Sequence, residues 1–359
     1  MKRGAIFPPM KGTRYASRGW PAPGRLRHAA FLARPAEVTL TPDPRSRRAQ
    51  AAFLALRVVD LLASPGHETP QAFEYQRSAT ARYVADVGEE PHHETALLGT
   101  ILARSAPENP RPPLLASLRD YAEYLDAIGN AAESVDVLET LLRLALGSEP
   151  PAEWIEPLRQ AVRILTRLDR IDDAAALHRQ ARRTLVREPD LGVRLRARLA
   201  GVDLMAATGD AVAAERAARR CWTDVQRSDD QTLRWAVAVG IAGVLLRSPS
   251  PVAAEMILAT ISGPGRPAPS PAAGLDLAGV LLEAGQYAAA ADRVREAREH
   301  DTTEAVRFRA IRLNVEVSAR RGDQMGLVRG IRECGELFAP DDVARLRRIL
   351  NEAQERSKP

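Results

Sequence analysis

Three features of the sequence predict an all-α fold. Only 4% of the residues are aromatic while Ala, Leu and Arg dominate, a composition that favours helix over strand. Apolar residues recur at helical spacing from about Arg45 to the end of the chain, interrupted by Gly- and Pro-containing breaks. A two-helix pattern also repeats, and its clearest copy runs from Leu275 to Arg298. There Leu277, Ala278, Leu281 and Leu282 form one stripe and Ala290, Val294 and Ala297 another. Gly285 sits at the break, where a residue that tolerates positive φ is wanted, and Tyr287 suits the corner. At 359 residues the chain has room for two ordinary globular domains or one long solenoid, and either buries an ample core.

In order, residues 1–44 are rich in Pro, Gly and Arg, show no sustained period, and read as a disordered basic leader. Its alternatives are an arm touching acidic lipid, nucleic acid or a partner, a plain tail, or a start codon placed too far upstream. Residues 45–112 read as a starting helix and one degenerate hairpin. The first helix ends at Ser64-Pro65-Gly66, the second runs from Gln71 to Val87, and the third carries Ala96, Leu97, Leu98, Ile101 and Leu102. Residues 113–338 hold six hairpins. Residues 339–359 form a capping helix and tail, with Val343, Leu346, Ile349, Leu350 and Ala353 on one stripe and charges elsewhere.

The six hairpins align on their turns at Gly129, Asp169, Gly209, Pro249, Gly285 and Gly322, at intervals of 40, 40, 40, 36 and 37 residues. Seven residues before each turn stand Ala122, Val162, Val202, Ala242, Ala278 and Val315, all small or β-branched. Four before stand Leu125, Leu165, Met205, Leu245, Leu281 and Ser318. Five after come Ser134, Ala174, Ala214, Ala254, Ala290 and Leu327, and twelve after come Leu141, Ala181, Cys221, Ile261, Ala297 and Cys334. Small side chains in these columns let two antiparallel helices joined by a tight turn approach closely. Neighbouring hairpins must then stack, because one hairpin cannot cover both of its apolar faces.

These columns resemble the tetratricopeptide repeat (TPR) over roughly residues 115–335, most clearly at Ala278, Gly285, Tyr287, Ala290 and Ala297. The chain departs from the family in lacking the large aromatic early in the first helix, in its displaced or absent closing proline, and in intervals longer than usual. The resemblance implies a right-handed superhelix whose first helices line a concave groove. The residues ten and six before each turn would then face that groove: Arg119 and Glu123, Arg159 and Arg163, Leu199 and Asp203, Val239 and Gly243, Leu275 and Gly279, Arg312 and Glu316. Such a groove would be an apolar trough with charged ends, suited to a peptide or helix of another protein with a hydrophobic centre and acidic ends. The competing reading is that the middle copies pack on one another or on a second subunit. The family's carboxylate clamp needs asparagines that are missing here.

The chemistry of the chain points to no catalysis. The sequence contains no GxxxxGK[ST], GxSxG or HExxH, and no GxGxxG at a strand–helix junction. His92-His93-Glu94 is the one histidine cluster, and adjacent histidines diverge by about 100° on a helix, which disfavours a shared metal. His178 falls in a packing column and reads as a packed histidine. Cys221 and Cys334 share one repeat column, which makes them small buried hydrophobes rather than nucleophiles. No cofactor or metal is expected.

The net charge of +5 is unevenly placed: residues 1–50 hold eleven Lys and Arg against two acids, so the remainder is slightly acidic. A nucleic-acid footprint on the folded part is therefore unsupported. Two distant cysteines fit a reducing cytoplasm, and no apolar run reaches membrane-spanning length. The leading expectation is a cytoplasmic, non-catalytic scaffold for protein binding. The alternative is a TPR-like regulatory module of a bacterial transcriptional or signalling system, which the absence of a helix-turn-helix weakens.

Overall fold

The computed structural model describes residues 44–63, 70–87, 93–146, 148–246, 251–261, 268–300, 304–337 and 343–344. Among them there are fifteen helices and no strand, so the chain is all-α. The leader up to residue 43 lies outside the described residues. So does the expected capping helix, except Val343, which is buried, and Ala344, which is exposed. The chain divides into two compact units, Met1–Leu118 and Arg119–Pro359.

The first unit contains α1 (Pro44–Ala63), α2 (Pro70–Val87) and α3 (His93–Arg104), each packed on the other two. Their apolar faces meet through Ala51, Leu54, Ala55, Val58 and Val59 of α1, Phe73 and Val84 of α2, and Leu98, Ile101 and Leu102 of α3. Two polar contacts fix their register. Tyr83 donates to Gln50 Oε1 at 2.8 Å, and Arg77 donates to the Leu102 carbonyl at 3.2 Å, satisfying an oxygen in the last turn of α3.

The second unit begins within α4 (Arg111–Ala127), which pairs with α5 (Ala131–Ala145). It continues through α6 (Pro151–Arg167) and α7 (Ile171–Thr184), α8 (Leu191–Ala207) and α9 (Ala211–Val225), and α10 (Gln231–Leu245) and α11 (Pro251–Ile261). The last pairs are α12 (Pro271–Glu283) with α13 (Tyr287–Arg298), and α14 (Glu304–Arg321) with α15 (Gln324–Leu337).

The turns explain the sequence columns. Gly129, Asp169, Gly209, Gly285 and Gly322 all have positive φ, between 58° and 82°. At each, the next residue's N–H reaches back six positions inclusive to the residue four before the turn: Asn130 to Leu125 (2.7 Å), Arg170 to Leu165 (2.9 Å), Asp210 to Met205 (3.1 Å), Gln286 to Leu281 (2.9 Å) and Asp323 to Ser318 (2.9 Å). The turn residue's own N–H bonds three back, as Gly285 does to Leu282 at 3.1 Å. This is the Schellman closure, which satisfies carbonyls otherwise orphaned at a helix end. Asp169 adopts it without being Gly, as Asp tolerates this region better than bulkier residues do. The sixth turn, at Pro249, lies outside the described residues.

The small-residue columns are the contact surfaces between paired helices. Ala122, Val162, Val202, Ala242, Ala278 and Val315 are fully buried, as are Ser134, Ala174, Ala214, Ala254 and Ala290. In the first hairpin the Ser134 hydroxyl donates to the Ala122 carbonyl at 2.7 Å, a bond from one column to the other across the pair. Helix starts are fixed by side chains: Asp190, Asp210, Asp230 and Ser270 each accept from a backbone N–H three residues on, at 2.8, 3.0, 3.0 and 3.2 Å. Such a cap contributes about 1 kcal/mol.

The first helices of successive hairpins pack on one another, α6 on α8, α8 on α10, α10 on α12 and α12 on α14. One apolar core, including Leu195, Leu199, Trp235, Ile241, Leu277 and Leu281, runs through this layer. The layer also returns to its start. Phe308 of α14 meets Tyr124 of α4 edge to face, ring centroids 5.6 Å apart, and both rings are fully buried. A row of stacked hairpins ordinarily leaves its first and last members apart; within this unit they touch.

Candidate functional site

The polar centre of the second unit is built by α4, α6, α8, α12 and α14. On α6, Arg159 and Arg163 stand one turn apart and share a face. The Arg159 side chain is 11% exposed, its Nε lies 3.8 Å from Asp203 Oδ2 on α8, and its Nη1 lies 4.0 Å from Glu156 on its own helix. At 3.8 Å the Asp203 contact is an ion pair without a hydrogen bond, and Arg159 Nε has no hydrogen-bond partner among the described residues. Burial opposes the Arg159 charge, and Glu156, Asp203 and Asp276 together outweigh it. Glu156 is shared with Arg196 of α8, whose Nε lies 2.9 Å from it.

Space for the Arg159 guanidinium comes from α10. A Cβ on Gly240 would lie 2.4 Å from Arg159 Nη2 and 3.1 Å from the Leu199 side chain. Glycine at this position lets a buried cation and an apolar side chain lie against bare helix backbone.

Arg163 is exposed and makes no ion pair or hydrogen bond among the described residues. Desolvation, with repulsion from Arg159 and Arg309, pulls its pKa below the ordinary arginine value against the opposing fields of Asp203 and Asp276. Both acids are engaged elsewhere: Asp203 pairs with Arg159, and Asp276 of α12 accepts from Arg309 of α14 at 2.5 Å. Glu123 of α4 is half-buried beside the same pair. Burial raises its carboxyl pKa, with Asp120 and Asp276 adding to the rise and Arg309 and Arg119 opposing it.

Asp126, one turn beyond Glu123, joins three helices. Its Oδ1 accepts from Arg167 of α6 at 2.7 Å, and its Oδ2 lies 3.8 Å from Arg312 Nη1 of α14. Arg312 also donates to the Asp126 backbone carbonyl at 2.6 Å. Desolvation would raise the Asp126 pKa, but the nearby arginines prevail and hold it below the usual carboxylate value.

Of the residues expected to line a groove, Glu123, Arg159, Arg163, Asp203 and Arg312 belong to this charged face. Arg119, exposed on α4, contributes its field to Glu123. Glu316 is half-buried on α14 and makes no ion pair among the described residues. The expected apolar trough is corrected: Leu199, Val239 and Leu275 are 1%, 5% and 0% exposed and belong to the packed core between inner helices. Glycines bring these helices together, since Leu199 sits against Gly240 and a Cβ on Gly243 would lie 3.4 Å from Val280. Gly279 is half-exposed, with nothing within 4 Å of where its Cβ would be.

Four residues of the face escape the column rule. Asp126, Arg167 and Arg309 lie one helical turn from Glu123, Arg163 and Arg312, so extending each pair by three or four positions finds them. Asp276 stands nine before its turn instead of ten, in the hairpin after the shortest interval, where the facing position has moved around the helix.

Other candidates resolve as packing. His178 Nε2 lies 3.2 Å from the Ala197 carbonyl, its ring is against Gly201, and burial lowers its pKa. Cys221 and Cys334 are buried thiols, and desolvation pushes Cys334 up to about 12. Of the histidine cluster, His92 lies outside the described residues, and His93 begins α3. Among the described residues no three metal-ligating side chains converge, and no helix is long and apolar enough to cross a membrane. No protein-family model, curated protein or solved structure matches the chain.

Proposed function

We propose that this chain is a cytoplasmic, non-catalytic scaffold of TPR-like hairpins that binds a segment of another protein on the charged face of its inner helices. The observation that carries the reading is Arg163, a solvent-exposed guanidinium without a partner among the described residues, on a face where Arg159, Arg309 and Arg312 are each paired with acids. An exposed cation that feels the fields of two other arginines is well placed to receive an acidic group from outside. The TPR-like assignment rests on the repeating columns and on the Schellman turns at five of their six anchors.

The test is affinity purification from the native host with wild-type chain and Arg163→Glu in parallel. A protein recovered with the wild type and lost from the variant, with helical circular dichroism unchanged, supports the reading. Equal recovery by both moves the site elsewhere.

A further inference from the structure

Where α13 begins and α14 ends there is an open cleft of about 570 Å³. One side is the turn and the first residues of α13, from Gly285 to Ala289, and the other is Arg320 and Arg321. Both arginines are exposed at the end of α14 and make no ion pair or hydrogen bond among the described residues. The negative end of the α14 dipole accounts for cations in that turn, but it supplies no carboxylate to pair with them. The lining of the cleft supplies none either. In the second hairpin the corresponding places on α7 hold Asp172 and Asp173, and Asp173 accepts from Arg170 at 2.8 Å. On α13 they hold Ala288 and Ala289, so the acids are gone and the space beside the arginines is open. Half-buried Tyr287 adds an aromatic surface next to the two alanines.

A cleft this open does not surround a small molecule as a ligand pocket does, whereas a chain segment can lie across it. Two neighbouring guanidiniums select carboxylates on such a segment, and the ring with its alanines selects an apolar residue beside them. We propose that this cleft is a second docking site, taking an acidic segment of another protein whose carboxylates pair with Arg320 and Arg321 while an adjacent apolar side chain lies on Tyr287. It stands on residues outside the charged face around Arg163, so it neither needs that face nor fails with it.

The probe is the amidated peptide Gly-Glu-Glu-Phe-Glu-Gly carrying tetramethylrhodamine, with Gly-Gln-Gln-Phe-Gln-Gly as its uncharged counterpart. Each is titrated with the full chain and followed by fluorescence anisotropy. The acidic peptide should bind saturably and the uncharged one should not. Arg320→Glu with Arg321→Glu should weaken binding about tenfold, whereas Arg179→Glu with Arg183→Glu, the same charge change at exposed arginines of α7, should leave it within about twofold. Tyr287→Ala, which changes no charge, should weaken it about threefold. Arg163→Glu should leave it as the α7 pair does.

Absence of binding overturns the site, and so does equal weakening by the two arginine pairs, which would mean attraction to basic surface at large. Loss of binding on Arg163→Glu would return the peptide to the inner face and likewise overturn a second site. Displacement of the peptide by an equal concentration of inorganic phosphate would make the cleft a small-anion site and overturn the assignment to a protein segment. If Tyr287→Ala loses helicity by circular dichroism, the two arginine pairs decide the matter.

Discussion

The two flanks of the inner layer solve the same packing problem in opposite ways. Along α10 and α12 the wall is sealed by apolar side chains, with Val239 and Leu275 buried and Gly240 and Gly243 drawing the helices together. Along α4, α6 and α14, joined by Asp203 of α8 and Asp276 of α12, it is a mesh of arginines and acids, with Tyr124 and Phe308 forming a buried aromatic pair. The sealed flank draws on hydrophobic burial, which does not depend on direction. The charged flank depends on each cation finding a carboxylate, and among the described residues it leaves Arg163 over. Stability is thus concentrated on one side, and the recognition proposed above falls on the other.

The sharpest way to break this comparison is to damage the sealed flank. Leu275→Ala removes a fully buried side chain and should cost about 2–5 kcal/mol, read from denaturant unfolding with an unchanged slope. On the charged flank, Asp203→Ala leaves Arg159 buried with only Glu156 at 4.0 Å, for an expected loss of about 2–3 kcal/mol. If Asp203→Ala proved neutral, Arg159 would not need its partner and the flanks would differ less than proposed.

Gly240→Ala joins the two flanks. Its methyl must displace the Arg159 guanidinium and crowd Leu199, which outweighs the gain in helix propensity and should leave a net loss of about 1 kcal/mol in thermal unfolding. Combined with Asp203→Ala, the loss should be less than additive, because both act through Arg159.

The smallest effect is a pH dependence. The Glu123 pKa is raised above 4.5 in the folded chain, so the folded state binds more protons and stability falls as pH rises from 4.5 through the folded pKa. Glu123→Gln should flatten that part of the stability–pH curve. The Asp126 pKa is shifted the other way: its contribution is present above 3.8 and lost as pH falls through its lower folded pKa.

The hairpins are legible in the sequence because their determinants are local. A positive-φ residue, an acceptor four before it and small residues seven before and five after all lie within one copy, and the structure places Gly129, Asp169, Gly209, Gly285 and Gly322 in the same conformation. The charged face is legible only in part. Glu123, Arg159, Arg163, Asp203 and Arg312 follow from the column rule, whereas Asp276 is displaced by the shorter interval before its turn. Leu199, Val239 and Leu275 were expected to face a groove; which side of a helix is covered depends on how closely its neighbours approach, and here glycines in those neighbours decide it. The meeting of Tyr124 with Phe308 could not be read from the chain, since it is the accumulated result of small rotations across all the intervening hairpins.

That meeting is also where the account is most directly tested. With Phe308 replaced by photoreactive p-benzoylphenylalanine, irradiation of the full chain and mass spectrometry of its peptides should yield a cross-link from the 304–321 segment to residues 119–127. Cross-links confined to the neighbouring α12, α13 and α15 would show that the inner helices do not return to their start, and the charged face built on that return would have to be redrawn.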